Sequence, residues 1–171
     1  FAHEKSTGTY EALMTTPVSN LQIVVSKFLA SWIFYGLMWL PLWGFMVWLG
    51  QFFNDPEYLD AGIVGGTALG VMLIGGLFLA IGCLASVATK SQLIAAMLAL
   101  TLEMVLFMLS FVIELLPDQS GWQATLFGHI CLFDHMGDFV RGIINGSHLI
   151  FYFTGTGLFL FLTWRWVESR K

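Results

Sequence analysis

The 171-residue chain is 57% hydrophobic and 11% charged, with a mean hydropathy of +0.79. A soluble domain carries about a quarter charged residues, so this composition belongs to the membrane class. The formal net charge of -4 comes with no Lys/Arg cluster able to neutralise phosphates, which excludes a nucleic-acid partner.

Residues 1–20 are polar and are cut by Gly8 and Pro17. Thr9 to Thr16 predict a short helix that Thr7 or Gly8 caps, that Glu11 suits through the dipole of its first turn, and that Pro17 ends. Tyr10, Leu13 and Met14 then share one face. Ser19 and Gln22 have the spacing of a capping box and mark the start of a long helix over 21–53. Its charge-free run Phe28–Phe53 is long enough to cross about 30 Å of hydrocarbon. Pro41 predicts a kink there. Trp32, Tyr35, Trp39 and Trp43 fall close to one face, which reads as packing or lipid contact ahead of a hydrophobic path. Residues 54–60 form an outer turn, with Asp55, Glu57 and Asp60 around Pro56.

The second span, 61–89, holds seven glycines from Gly62 to Gly82. Gly62, Gly66 and Gly70 stand four apart, a spacing that lets another helix approach closely in lipid. Packing within the subunit is favoured over a subunit interface. The third span, 90–116, carries Glu103 near its middle, where a charge costs about 2.5–3.5 kcal/mol on insertion scales. Glu103 reads equally as part of a substrate or proton path and as a protonated packing residue. Residues 117–147 mix apolar and polar side chains and predict short amphipathic or re-entrant helices at the outer face. His129, Cys131, Asp134, His135 and Asp138 there have a metal-like composition but no strict zinc spacing, so no metal site is expected. Arg141 is expected to pair with Asp138 or Asp134, or to meet lipid headgroups. The last span covers 148–166, and 167–171 form a tail. Cys83 lies in an apolar run and Cys131 in a polar loop, as free thiols do.

These runs show no period-two alternation, so the fold expected is all-α and integral to the membrane. Lys5, Lys27, Lys90, Arg165, Arg170 and Lys171 fall on one side of four spans and only Arg141 on the other. The positive-inside rule then places both termini in the cytoplasm. No basic segment with a following apolar stretch and cleavage site occurs, so no signal peptide is expected.

Two stretches carry a family resemblance. Glu4-Lys5-x-x-Gly8-Thr9-x-Glu11-x-Leu13-x-x-x-Pro17-Val18-Ser19, followed by Ile23-Val24-x-x-Lys27-Phe28-Leu29, resembles the cytoplasmic coupling loop of ABC type-2 permeases, the membrane subunits of ABC exporters. Near the other end, Phe139-x-Arg141-Gly142-Ile143-Ile144, Phe151-Tyr152, Phe159-Leu160-Phe161-Leu162-Thr163 and Val167-Glu168-Ser169-Arg170 are similar to the C-terminal segment of the gliding-motility and copper-maturation subgroup. Ser6 stands where the family often has a basic residue and His3 where it often has an acid. The family usually has six spans with the coupling loop between the second and third. With four spans here, and Phe1 in place of Met, the expectation is a chain lacking about two spans upstream.

The resemblance implies that the hook docks on a separate ABC ATP-binding subunit, through Glu4, Lys5, Gly8, Thr9, Glu11, Leu13 and Pro17. It also implies a second permease copy, export, and a bacterial or archaeal cytoplasmic membrane. The sequence itself holds no Gly-x-x-x-x-Gly-Lys-Ser/Thr motif, so ATP and Mg are expected on the partner and no cofactor or catalytic residue on this chain. Two other functions compete. One is a scaffold anchoring an ATPase in a motility or maturation complex. The other is an intramembrane enzyme using Glu103 or the His/Asp segment of the outer loop, against which stands the lack of any paired catalytic motif on facing spans.

Overall fold

A computed structural model describes residues 1–9, 18–53, 60–115 and 129–169. Among these residues the secondary structure is six helices and no strand. In chain order they are α1 (Ala2–Thr7), α2 (Asn20–Phe53), α3 (Ala61–Ala88), α4 (Gln92–Leu115), α5 (Leu132–Val140) and α6 (Gly146–Glu168). α2, α3, α4 and α6 are each long and apolar enough to cross a membrane, which agrees with an all-α membrane fold.

Local chemistry sets the helix ends. Ser19 and Gln22 form the reciprocal capping box: the Ser19 N–H donates to Gln22 Oε1 at 3.1 Å, and the Gln22 N–H donates to Ser19 Oγ at 3.3 Å. Asp60 caps α3 by accepting from the Gly62 N–H at 2.8 Å. Asn145 caps α6 through the Ser147 N–H. α2 runs on through Pro41, whose missing N–H frees the Leu37 carbonyl from its helical bond.

α3 is the central element and touches every other helix. The share of its span that is buried is 39%, against 6% for α4. The glycines make this possible. A Cβ on Gly66 would lie 2.4 Å from the Phe139 carbonyl oxygen, and one on Gly70 would lie 2.8 Å from the Phe139 ring. On another face, a Cβ on Gly75 would enter the Tyr35 ring of α2. Without side chains on Gly75 and Gly76, the α3 carbonyls one turn earlier are open to a second donor. Trp32 Nε1 donates to Met72 O at 3.0 Å, and Tyr35 Oη donates to Val71 O at 3.3 Å. Two of the four aromatic-stripe residues on α2 therefore bind α2 to α3, and Trp39 lies edge-on to Tyr35.

Two apolar clusters tie the bundle together. At the α5 end, Leu77, Ile81, Leu132, Phe139 and Tyr152 pack together. At the α1 end, Val24, Val87 and Val167 of α2, α3 and α6 meet beneath Phe1, Leu160 and Trp164. α4 is the outlier. Its inward stripe is Ala95, Ala99, Glu103, Leu106 and Ser110, while Leu93, Met97, Leu100 and Val105 are exposed. An apolar face of this kind suits lipid or a further membrane subunit.

Candidate functional site

The helix expected from Thr9 to Thr16 falls on 10–17, so it lies outside the described residues, as do Glu11, Leu13 and Pro17. A different helix precedes it. α1 ends at Gly8, which adopts the left-handed conformation (φ 76°) as its C-cap. The helix that Thr7 or Gly8 is expected to cap falls on 10–17, outside the described residues, and Gly8 itself stops α1. The reason is steric: a residue with a Cβ is strained at positive φ, and glycine is the usual stop there.

α1 has two faces. His3, Ser6 and Thr7 point outward, and Phe1, Ala2, Glu4 and Lys5 turn toward the bundle. The Ala2 N–H donates to Ser86 Oγ at 2.9 Å. The Lys5 ammonium donates to the Val87 carbonyl in the last turn of α3. That carbonyl has no intrahelical partner, and a cation suits the negative end of the helix dipole. Glu4 pairs with Lys27 of α2, and the Lys27 ammonium also sits 4.5 Å from the Phe1 ring centroid. Thr9 Oγ1 meets Thr7 Oγ1 at 2.9 Å and closes the turn after α1. Glu4 and Lys5 therefore hold the hook to α2 and α3. Sequence reasoning missed Ser86 and the pairing of Lys27, because those contacts span 84 and 23 residues and leave no local periodicity.

The other end of the bundle is organised by α5. Asp138 Oδ2 lies 2.9 Å from His148 Nε2 of α6. The His148 ring in turn lies against His135, tilted by 38° with centroids 4.0 Å apart. His135 is fully buried, edge-on to Phe151 and Tyr152. Of the two expectations for Arg141, the pairing with Asp138 or Asp134 is not made among the described residues, and contact with lipid headgroups is not tested by the structure. Arg141 is the C-cap of α5, where the chain leaves the helix, and its exposed side chain forms no ion pair among the described residues. Gly142 (φ 75°) turns the chain against α3, where a Cβ would lie 3.1 Å from the Gly62 carbonyl carbon. Gly62, Gly66 and Gly70 thus form one track along which α5 and its following turn lie.

Ser110 joins α5 to α4. The Leu132 N–H donates to Ser110 Oγ at 3.2 Å, and that hydroxyl faces both Leu106 O and Ile130 O. Cys131 is buried against the Ser110 carbonyl, and burial pushes its thiol pKa up. Among the described residues no three His, Cys, Asp or Glu side chains converge as a metal site. Cys131 is turned toward Ser110, His135 toward aromatic rings and Asp138 toward His148, so the helical spacing does not become a shared focus.

Glu103 lies half-buried on the inward stripe of α4 and makes no hydrogen bond or ion pair among the described residues. Neighbouring Thr101 bonds its own helix at Met97 O. A largely apolar cleft of about 350 Å³ separates α2, α3 and α6, lined by Phe28, Trp32, Met72, Gly76, Phe153 and Leu160 among others.

A search of protein families matches residues 1–154 to the family described as ABC-2 family transporter protein. No curated protein and no solved structure gives a significant match.

Proposed function

The chain belongs to the ABC-2 family of transporter proteins, and from that premise we propose that it shapes an export path and is driven through residues 1–20 by a separate ATP-binding subunit. It is a multi-pass membrane permease component of an ABC transporter, and permeases of this family normally work with an ATP-binding subunit. The finer reading assigns ATP and Mg to that subunit, pairs this chain with a second permease copy, and puts both chain ends on the cytoplasmic side of an inner membrane. Closure of the ATPase around nucleotide pushes Glu11 and the flanking hook residues. The spans then tilt as rigid bodies between packed states. Glu103, on the inward stripe of α4, faces the path.

One observation carries this reading beyond the family match. The hook's first helix is fastened to the ends of two spans through Glu4, Lys5 and the Ala2 N–H. A push on a fastened element moves what it is fastened to, whereas a push on a solvated loop dissipates.

The test is ATP hydrolysis in a defined bilayer. The full-length protein is reconstituted with the ATP-binding protein encoded beside it. Hydrolysis in the pair is expected to differ severalfold from that of the ATP-binding protein alone. Glu11→Arg returns it toward the isolated rate while membrane insertion is unchanged. Equal hydrolysis with and without the membrane subunit would refute the proposal.

A further inference from the structure

We propose that Glu4, Lys5 and Lys27 are positioning residues that transmit movement from the hook to α2 and α3, and do not themselves dock the ATP-binding subunit. This inference rests on the reading under Proposed function.

In a helix, residues 1, 4 and 5 lie within one broad arc, and 3, 6 and 7 lie opposite. α1 uses the first arc entirely on its own bundle, and His3, Ser6 and Thr7 are the ones left exposed. The inner arc meets the spans at separate points. Glu4 reaches Lys27 in the second turn of α2. Lys5 and Ala2 reach Val87 and Ser86 in the last turn of α3. Attachments to two different helices resist both rotation and sliding, which a single ion pair does not. Beneath them Val24, Val87 and Val167 join the ends of α2, α3 and α6, so the fastening reaches a third span by packing.

The far end of α3 completes the route. Its glycine track carries α5 in backbone contact at Gly66 and Gly62, and close-packed elements shift together. Movement delivered at Ser86 and Val87 therefore arrives at α5 and at the exposed Ile144 beyond it. The Asp138–His148 pair and the Ser110 hydroxyl then spread it to α6 and α4.

The experiment separates docking from transmission. The full-length protein carries Ile144→Cys labelled with an environment-sensitive fluorophore, in a Cys83→Ala background. It is reconstituted with the neighbouring ATP-binding protein. Three quantities are read: capture of that protein, ATP hydrolysis, and the change in fluorescence on adding ATP and vanadate. Lys27→Met and Glu4→Gln are expected to keep capture and hydrolysis and to lose the fluorescence change about fivefold or more, the size of a modest coupling between sites. The charge reversal Glu4→Lys with Lys27→Glu is expected to recover more than half of it, which also shows that the single variants did not simply misfold. An undiminished fluorescence change in both single variants overturns the proposal. So does loss of capture in both, because the residues would then be docking contacts. A wild-type pair that is captured but gives no fluorescence change at Ile144 overturns it as well. If the wild type captures no ATP-binding protein, the reading under Proposed function falls, and this inference with it.

Discussion

Gly65 and Gly66 are adjacent in sequence and chemically identical, yet the structure assigns them opposite responses to one added methyl. A Cβ on Gly66 would sit 2.4 Å from the Phe139 carbonyl oxygen, while one on Gly65 meets nothing within 4 Å. An ordinary carbon–oxygen contact is about 3.3–3.6 Å, so Gly66→Ala forces α5 and α3 apart by about 1 Å. The obstacle is backbone and cannot rotate away. Overpacking of this kind costs about 1–3 kcal/mol, and the helix-propensity gain of Ala over Gly offsets at most about 1 kcal/mol. The net loss for Gly66→Ala is about 0–2 kcal/mol, and its deficit relative to Gly65→Ala, which keeps the same propensity gain, is about 1–3 kcal/mol. On the scale of a chain this long, that sets the Gly66→Ala midpoint of thermal unfolding at least about 2–4 °C below that of Gly65→Ala. Gly65→Ala keeps only the propensity term, so its midpoint is unchanged or slightly raised. Gly75→Ala falls between them, because its obstacle is the movable Tyr35 ring. The assay is thermal unfolding of purified protein in one detergent, followed by intrinsic Trp fluorescence. Equal midpoints for Gly65→Ala and Gly66→Ala would refute the packing of α5 on the glycine track.

Ser110→Ala leaves the buried Leu132 N–H without its acceptor and is expected to lower stability by about 1–3 kcal/mol, seen as faster proteolysis within 129–145. Cys131 is expected to resist alkylation in the folded protein, because it is buried and its thiol pKa lies above the ordinary value of 9.0. The sign follows: the folded state holds this proton more tightly, so its contribution to stability is complete below the ordinary thiol range and is lost as pH rises above it. Mass spectrometry with a maleimide, before and after denaturation, reads the contrast. Glu103→Gln removes a carboxyl that no described residue bonds, so thermal stability is expected to hold or rise; a drop of several degrees would mean that the carboxyl has a structural partner.

Much of the membrane architecture was legible because it rests on local rules. Long apolar runs specify helices that bury their own backbone polar groups, and Ser19 with Gln22 specifies where α2 begins. The family was legible because its motifs bracket the chain. The joints were not. The Glu4–Lys27, Lys5–Val87 and Asp138–His148 contacts each bring together residues on different helices, and which faces meet depends on packing that no one segment encodes. Arg141 illustrates the difference. By spacing it suits Asp138, yet α6 presents His148 to that carboxylate first. α1 was missed because six residues are too short to show helical periodicity, and its stability comes from the ends of α2 and α3.

In the proposed function the hook touches an ATP-binding subunit at Glu11. The most direct measurement is photo-crosslinking in intact membranes from a benzoylphenylalanine placed at Glu11, with the same group at Ile144 as control. An adduct between this chain and the neighbouring ATP-binding protein is expected from Glu11 and none from Ile144. No adduct from Glu11, or equal adducts from both positions, would contradict it.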